Sequence, residues 1–305
     1  MKGSSSNLAG IIILVGLIVI MLVAPKAPSN SNSTSNPPKN TVSNSNQETV
    51  LVPSSSHAED VSIGTGNASH AYQPYEEYVT ITNRGRTLVD ITNWKLENNK
   101  DNRGYDFGGT LRYFAADRAF IPQATLFVSP RGFNVFQNVL LQPGETAIVT
   151  TGNIGLQSPF RIVSFKENIC SGYIEDLPEY KFTPPLTRNC PRPAIEPGVS
   201  ALDTDCRKFV ERMSSCHMPK FDTRNKEGDI CYNCVDGKVL SSSCVAFIKN
   251  HFNYNSCIAN HVNDSDFSGR TWRIFLGMGW EMWAKDYETI ELFDQLGRLV
   301  DSRSY

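Results

Sequence analysis

Residues 76–98 read EEYVTITNRGRTLVDITNWKLEN. Val79 and Ile81 alternate with Thr80 and Thr82, and after an Arg84-Gly85 turn Val89 and Ile91 alternate with Asp90 and Thr92. Apolar residues at every second position put one face of an extended chain in a core and the other in water, so this stretch predicts two half-buried strands. The same texture recurs in ATLFV (124–128), in VLLQPGETAIVTTG (139–152) with its Pro143-Gly144 turn, and in FRIVSF (160–165). It stops for about a hundred residues and resumes in TWRIFLG (271–277) and ETIELFDQLGRLVDSRSY (288–305), the latter reading as two strands joined through a turn at residues 295–297. Short strands separated by turn residues predict a mainly β fold, an antiparallel β-sandwich.

The interruption, residues 166–270, contains all 8 cysteines of the chain: Cys170, Cys190, Cys206, Cys216, Cys231, Cys234, Cys244 and Cys257. Leu202, Cys206, Phe209, Val210 and Met213 recur at helical spacing, and Ser243 is placed to cap a second helix carrying Val245, Ile248 and Phe252. Two short helices supply little core, so an even set of cysteines predicts a disulfide-stabilised helical insertion. Eight cysteines allow 105 pairings, and spacing selects none of them.

In their order along the chain, the strand motifs resemble the lamin tail domain, an immunoglobulin-like sandwich that also occurs in bacterial envelope and secreted proteins. The likeness rests on Asn83 and Gly85, Trp94 with Leu96, Pro143-Gly144, and the ending Leu292, Asp294, Gly297, Val300 and Asp301. It covers two separated stretches, residues 71–165 and 271–305, and the resemblance implies one sandwich interrupted by the cysteine-rich insertion. Loop-closure cost grows slowly with length, so such an insertion is physically tolerable.

At the amino end, residues 8–24 read LAGIIILVGLIVIMLVA. As a helix this run would be about 26 Å long, close to the thickness of a bilayer's hydrocarbon core. It predicts a retained transmembrane anchor with a short cytosolic tail, residues 1–7, because Lys2 lies on the tail side and Pro25 follows the obvious cleavage site. Residues 25–70, rich in Ser, Asn, Thr and Pro, predict a flexible stalk. The expected localisation is the plasma membrane, single-pass, with the body outside the cytosol.

The chain has 305 residues, 40% hydrophobic and 20% charged, with a formal net charge of -2. No run of basic residues forms a nucleic-acid footprint, so the partners expected are the membrane, through the anchor, and a protein or glycan at the cell surface. No catalytic site is predicted, since neither HExxH nor GxSxG occurs. A Cys-His dyad at Cys216 or Cys257 would leave an odd cysteine over. No cofactor is predicted either, as Gly64 and Gly66 lack the third glycine and preceding strand of a dinucleotide fingerprint.

No metal site is predicted. Cys231 and Cys234 have zinc-knuckle spacing, with Cys206, Cys216 and His217 as further ligand candidates, but no second close pair completes the pattern. Arg224 and Lys226 spoil an EF-hand reading of residues 222–229, and Asp264 with Asp266 reads better as a solvated loop. Trp272 alternates with Ile274 and reads as core. Trp280, Trp283 and Tyr287 are the candidate binding surface, because exposed aromatic rings stack on sugars and peptides. The expected function is a non-enzymatic binding or structural module of the envelope; the alternative is a thiol-dependent or metal-dependent enzyme with its site in the insertion.

Overall fold

Residues Tyr78–Asn83 form a strand in which Val79, Ile81 and Asn83 are buried while Tyr78, Thr80 and Thr82 lie at intermediate depth, the period of two read from the sequence. The computed structural model describes residues 53–305 except 101–103, 114, 155–161, 176 and 225–227. The anchor expected at 8–24, the tail and the stalk up to residue 52 lie outside the described residues. Among the described residues no helix is long and apolar enough to cross a membrane.

The body is mainly β. A seven-stranded sheet runs in the order Val61–Gly64, Tyr78–Asn83, Thr146–Thr150, Ser268–Phe275, Phe165–Asn168, Ala124–Thr125, Phe136–Gln137. A four-stranded sheet has the order Leu299–Ser304, Thr289–Phe293, Lys95–Asn98, Arg118–Phe120. Val79, Ile81, Val149, Trp272 and Ile274 of the first share one core with Leu96, Ala119, Ile290, Leu292 and Val300 of the second.

Several local expectations are corrected. Val61–Gly64 falls inside the stretch read as stalk, yet it pairs antiparallel with Tyr78–Asn83 and buries Val61 and Ile63. The second predicted strand is two: Val89–Asp90 pairs with Leu140–Leu141, and Lys95–Asn98 joins the other sheet. Between them Asn93 takes a positive φ of 61°, and that left-handed turn redirects the chain across the core. The sheets are not wholly antiparallel either, because Thr146–Thr150 runs parallel to Ser268–Phe275. Parallel neighbours need a long crossover, and the insertion supplies it.

Asn83 holds the turn after its strand: its side-chain nitrogen donates to the carbonyls of Thr87 and Leu141, both at 2.8 Å, and its oxygen accepts from Gly85 N at 2.9 Å. Gly85 is required by a close approach, since a Cβ there would stand 2.5 Å from the Asp60 carboxyl.

The cysteine-rich segment leaves Asn168 and returns at Ser268, which are direct cross-strand partners. It contains helices Thr204–Glu211, Ser242–His251 and Tyr254–His261. Their N-caps are Asp203, Ser241 and Asn253, each side chain accepting from a backbone amide of the first turn. Ser241 therefore caps the second helix, two residues before the Ser243 expected from sequence. The third of these helices has no counterpart in the sequence reading; it is short, and its apolar face is small.

All eight cysteines are paired, as Cys170–Cys257, Cys190–Cys216, Cys206–Cys244 and Cys231–Cys234. The first joins residues 87 apart near the base of the insertion and sits in an apolar cluster with Phe165 and Phe275, which belong to the seven-stranded sheet. Arg273 adds a polar tie: its guanidinium donates to Glu167 Oε1 at 2.5 Å and to the carbonyls of Pro184 and Pro185 at 2.7 and 2.8 Å.

Replacing both Cys170 and Cys257 by Ala frees a loop of this length in the unfolded chain, with an expected stability loss of about 2–5 kcal/mol. Urea denaturation followed by tryptophan fluorescence checks this, and an unchanged midpoint would show that the base of the insertion is held by packing alone.

Candidate functional site

Residues 276–288, LGMGWEMWAKDYE, connect the strand Ser268–Phe275 to the strand Thr289–Phe293. The loop first continues the sheet, with Leu276 N and Met278 N donating to the carbonyls of Thr150 and Thr151 at 2.9 and 2.8 Å. It then folds inward at Met282 and Trp283, both in the common core.

Glu77 makes that inward turn. Residues 77, 79 and 81 face the same way on the alternating strand, so the Glu77 carboxylate is directed into the core beside Val79 and is fully buried. It accepts from Met282 N at 2.7 Å and from Trp283 N at 3.2 Å. Burial, the largest influence, raises its pKa above the ordinary carboxyl value, with these backbone donors acting in the opposite sense.

Other contacts fix the remaining backbone. Asn98 Nδ2 donates to Met282 O at 2.5 Å and Lys100 Nζ to the same oxygen at 3.3 Å. Glu288 Oε2 accepts from Ala284 N at 3.3 Å, and Tyr305 Oη donates to Ala284 O at 2.8 Å.

On this frame the candidate residues separate. Trp280 is 55% exposed and Tyr287 91% exposed, whereas Trp283 is only 3% exposed and is core. The expectation for Trp283 is therefore corrected: capture of its amide by Glu77 draws the residue inward. Tyr287 holds a positive φ of 57°, uncommon for a non-glycine residue. The Trp280 indole donates to Asp117 Oδ1 at 3.0 Å, while Asp117 Oδ2 accepts from Asn98 Nδ2 at 2.9 Å and Lys100 Nζ at 3.0 Å. That bond orients the ring and leaves its face to solvent. Tyr72 joins the surface, with Lys285 Nζ 3.1 Å from its ring centre.

Sequence reasoning misses Tyr72, Lys285, Asp117 and Glu77. Only Glu77 has a legible signal there, an acid in phase with the inward Val79 and Ile81. Trp272 is buried, as its alternation with Ile274 suggests.

In the insertion, His217 Nε2 lies 2.7 Å from Asp236 Oδ2, in a cleft of about 350 Å³ lined by Phe209, Arg212, Met213, Ser214 and Lys238 as well. Asp236 and Gly237 both have positive φ and form the two-residue turn between Cys234–Val235 and Lys238–Val239. Cys234 thus lies on a hairpin strand. His261 bridges Glu196 Oε1 at 3.0 Å and Asp264 Oδ2 at 2.7 Å. Burial opposes its charge, but the two carboxylates prevail and raise its pKa. Among the described residues no group of three or more His, Cys, Asp or Glu is arranged to hold a metal ion.

Glu77→Ala leaves two buried amides without an acceptor, with an expected loss of about 2–4 kcal/mol and faster hydrogen exchange at 282 and 283. Glu77→Gln keeps an acceptor and removes the buried charge. Because the folded-state pKa is raised, the ionised carboxylate disfavours folding. Stability of the wild type relative to Glu77→Gln should therefore fall as pH rises from the ordinary carboxyl range through the raised pKa. Urea midpoints across that window check the sign, and a rise would contradict it. Compared with protein-family models, curated proteins and solved structures, the chain matches none.

Proposed function

We propose that this chain is a membrane-tethered, extracytoplasmic binding or structural module of the cell envelope, non-enzymatic, with the aromatic surface around Trp280 and Tyr287 as its ligand platform. In this reading the apolar run at 8–24 is the anchor, and the two sheets are a lamin-tail-like, immunoglobulin-type sandwich interrupted by the disulfide-rich insertion.

The observation that carries the reading is a contrast within one loop. Residues 276–288 are bonded to both sheets through Thr150, Glu77, Asn98 and Tyr305, yet two aromatic rings of the same loop face solvent. The Trp280 ring, already oriented by its bond to Asp117, loses little freedom on binding, and aromatic faces suit the flat apolar faces of sugars or peptide side chains. Pairing of all eight cysteines supports an oxidising compartment.

Position supports display as well. Trp280 is bonded to Asp117, which contacts Asn98 at one end of the Lys95–Asn98 strand. Pro53, the first described residue, is bonded to Leu299, whose register neighbours Phe293 and Lys95 lie at the other end. The platform and the incoming chain are thus separated by the length of the sheet.

The alternative, an envelope enzyme acting in the insertion, draws support from the His217–Asp236 pair and from Ser214 in the same cleft. Binding of the full chain to envelope glycan fragments and to immobilised envelope proteins tests the first reading. Trp280→Ala and Tyr287→Ala should each weaken capture about tenfold with melting temperature unchanged. Wild-type capture by both variants would remove the platform, and hydrolase or thiol-exchange activity lost in His217→Ala would favour the enzyme.

A further inference from the structure

The end of the sheets opposite Trp280 carries its own pattern. Register defines it: Leu299 is paired with Phe293, Phe293 with Lys95 and Lys95 with Phe120. Gln295 Nε2 donates to Thr92 O at 2.8 Å, and Thr92 Oγ1 accepts from Val139 N at 2.7 Å, bringing the Leu296 turn and the Leu140 strand to the same place. Asn83, through Leu141 O and Thr87 O, adds the 84–88 loop.

Four apolar side chains are exposed around this rim: Leu296 at 76%, Phe120 at 61%, and Leu88 and Leu140 less so. The 84–88 loop, RGRTL, contributes two positive charges and no acid. Among the described residues neither Arg84 nor Arg86 has a carboxylate partner. Of the nearby acids, Asp90 is bonded to Thr92 N and Asn138 and Asp294 to Ser55 and Arg298, while the Asp60 carboxyl packs against Gly85 and leaves the loop one net positive charge.

We propose that this rim is a lipid-docking surface for an anionic bilayer: Leu88, Phe120, Leu140 and Leu296 enter the interfacial layer, and Arg84 and Arg86 contact the headgroup phosphates and carboxylates. The proposal rests on the anchor proposed above and assigns the face that meets the membrane. Two observations select lipid as the occupant. First, the chain enters the body at this end, at Pro53, and only residues 25–52 separate it from the apolar run at 8–24. A segment of that length spans at most about 100 Å even when fully extended, so a bilayer holding the apolar run stays close to the body and a weak surface suffices. Second, unpaired arginines set among scattered leucines and a phenylalanine match the chemistry of the interface, where cations meet anionic headgroups and apolar tips meet acyl chains.

The test uses the full chain in lipid discs of phosphatidylcholine alone and of phosphatidylcholine with phosphatidylserine, with hydrogen exchange read at 86–88 and 295–296. Expected are exchange rates about tenfold slower on the anionic discs, with protection reversed by high salt. The double variant Arg84→Glu/Arg86→Glu should lose the protection while its near-ultraviolet circular dichroism is unchanged. Equal exchange on both discs, with the chain still disc-bound, overturns the rim and leaves the anchor standing. A chain that fails to float with lipid at all removes the anchor and the rim together. Protection that grows with protein concentration in detergent, without discs, assigns the rim to a second copy and overturns the lipid reading.

Discussion

The strand Ser268–Phe275 lies between Thr146–Thr150 and Phe165–Asn168, and no continuous seven-stranded sheet exists without it. Its neighbours precede it by about a hundred residues, so the sheet closes only after the insertion has been traversed and its ends brought together. Non-local closure of this kind is entropically demanding. The Cys170–Cys257 bond, just inside the paired ends Asn168 and Ser268, and the Arg273 contacts to Glu167 and the two proline carbonyls hold the closure once made. Everything on the far end of the sheet, including the loop that leaves Phe275, inherits its position from this strand.

The same dependence explains why the aromatic loop is firm. It begins as an extension of the inserted strand, against Thr150 and Thr151, and ends where Glu288 pairs with Tyr305 through both backbone amides. Between these points Glu77 supplies what a turn cannot, an acceptor inside the core for two consecutive amides. A buried carboxylate is costly unless its hydrogen bonds are met, and its retention fits a structural role in shaping the loop.

Much of the sheet is readable from the chain because alternation is a local signal wherever one face is wet. Val79, Ile81, Ala147, Val149, Ile290 and Leu292 are buried in the phase their neighbours imply. Val61–Gly64 escapes such reading because VSIG has only two apolar positions next to polar sequence; it is a strand because an edge is open beside Tyr78–Asn83. The Tyr254–His261 helix escapes for the complementary reason, being eight residues long with only Tyr254, Cys257 and Ile258 buried. Trp280 and Trp283 are three residues apart in similar surroundings, yet one is exposed and the other buried. What separates them is Glu77, some two hundred residues earlier, and no local pattern reports such a contact. Sulfur pairing is of the same kind, since the partner of Cys170 is set by the closure of the whole insertion.

The way the amino-terminal segment is fastened has a mechanical side. Pro53 and Ser55 bond to Leu299, the Ser55 hydroxyl bonds to Asp294, and His57 packs on Trp94 before the chain enters the edge strand Val61–Gly64. A pull between the incoming chain and the opposite end of the sheets would act along the strands. The hydrogen bonds joining Val61–Gly64 to Tyr78–Asn83 lie across that direction, so they would share the load together rather than break in succession. The attachment is therefore built in the shear geometry, the one that resists extension best for a given number of bonds.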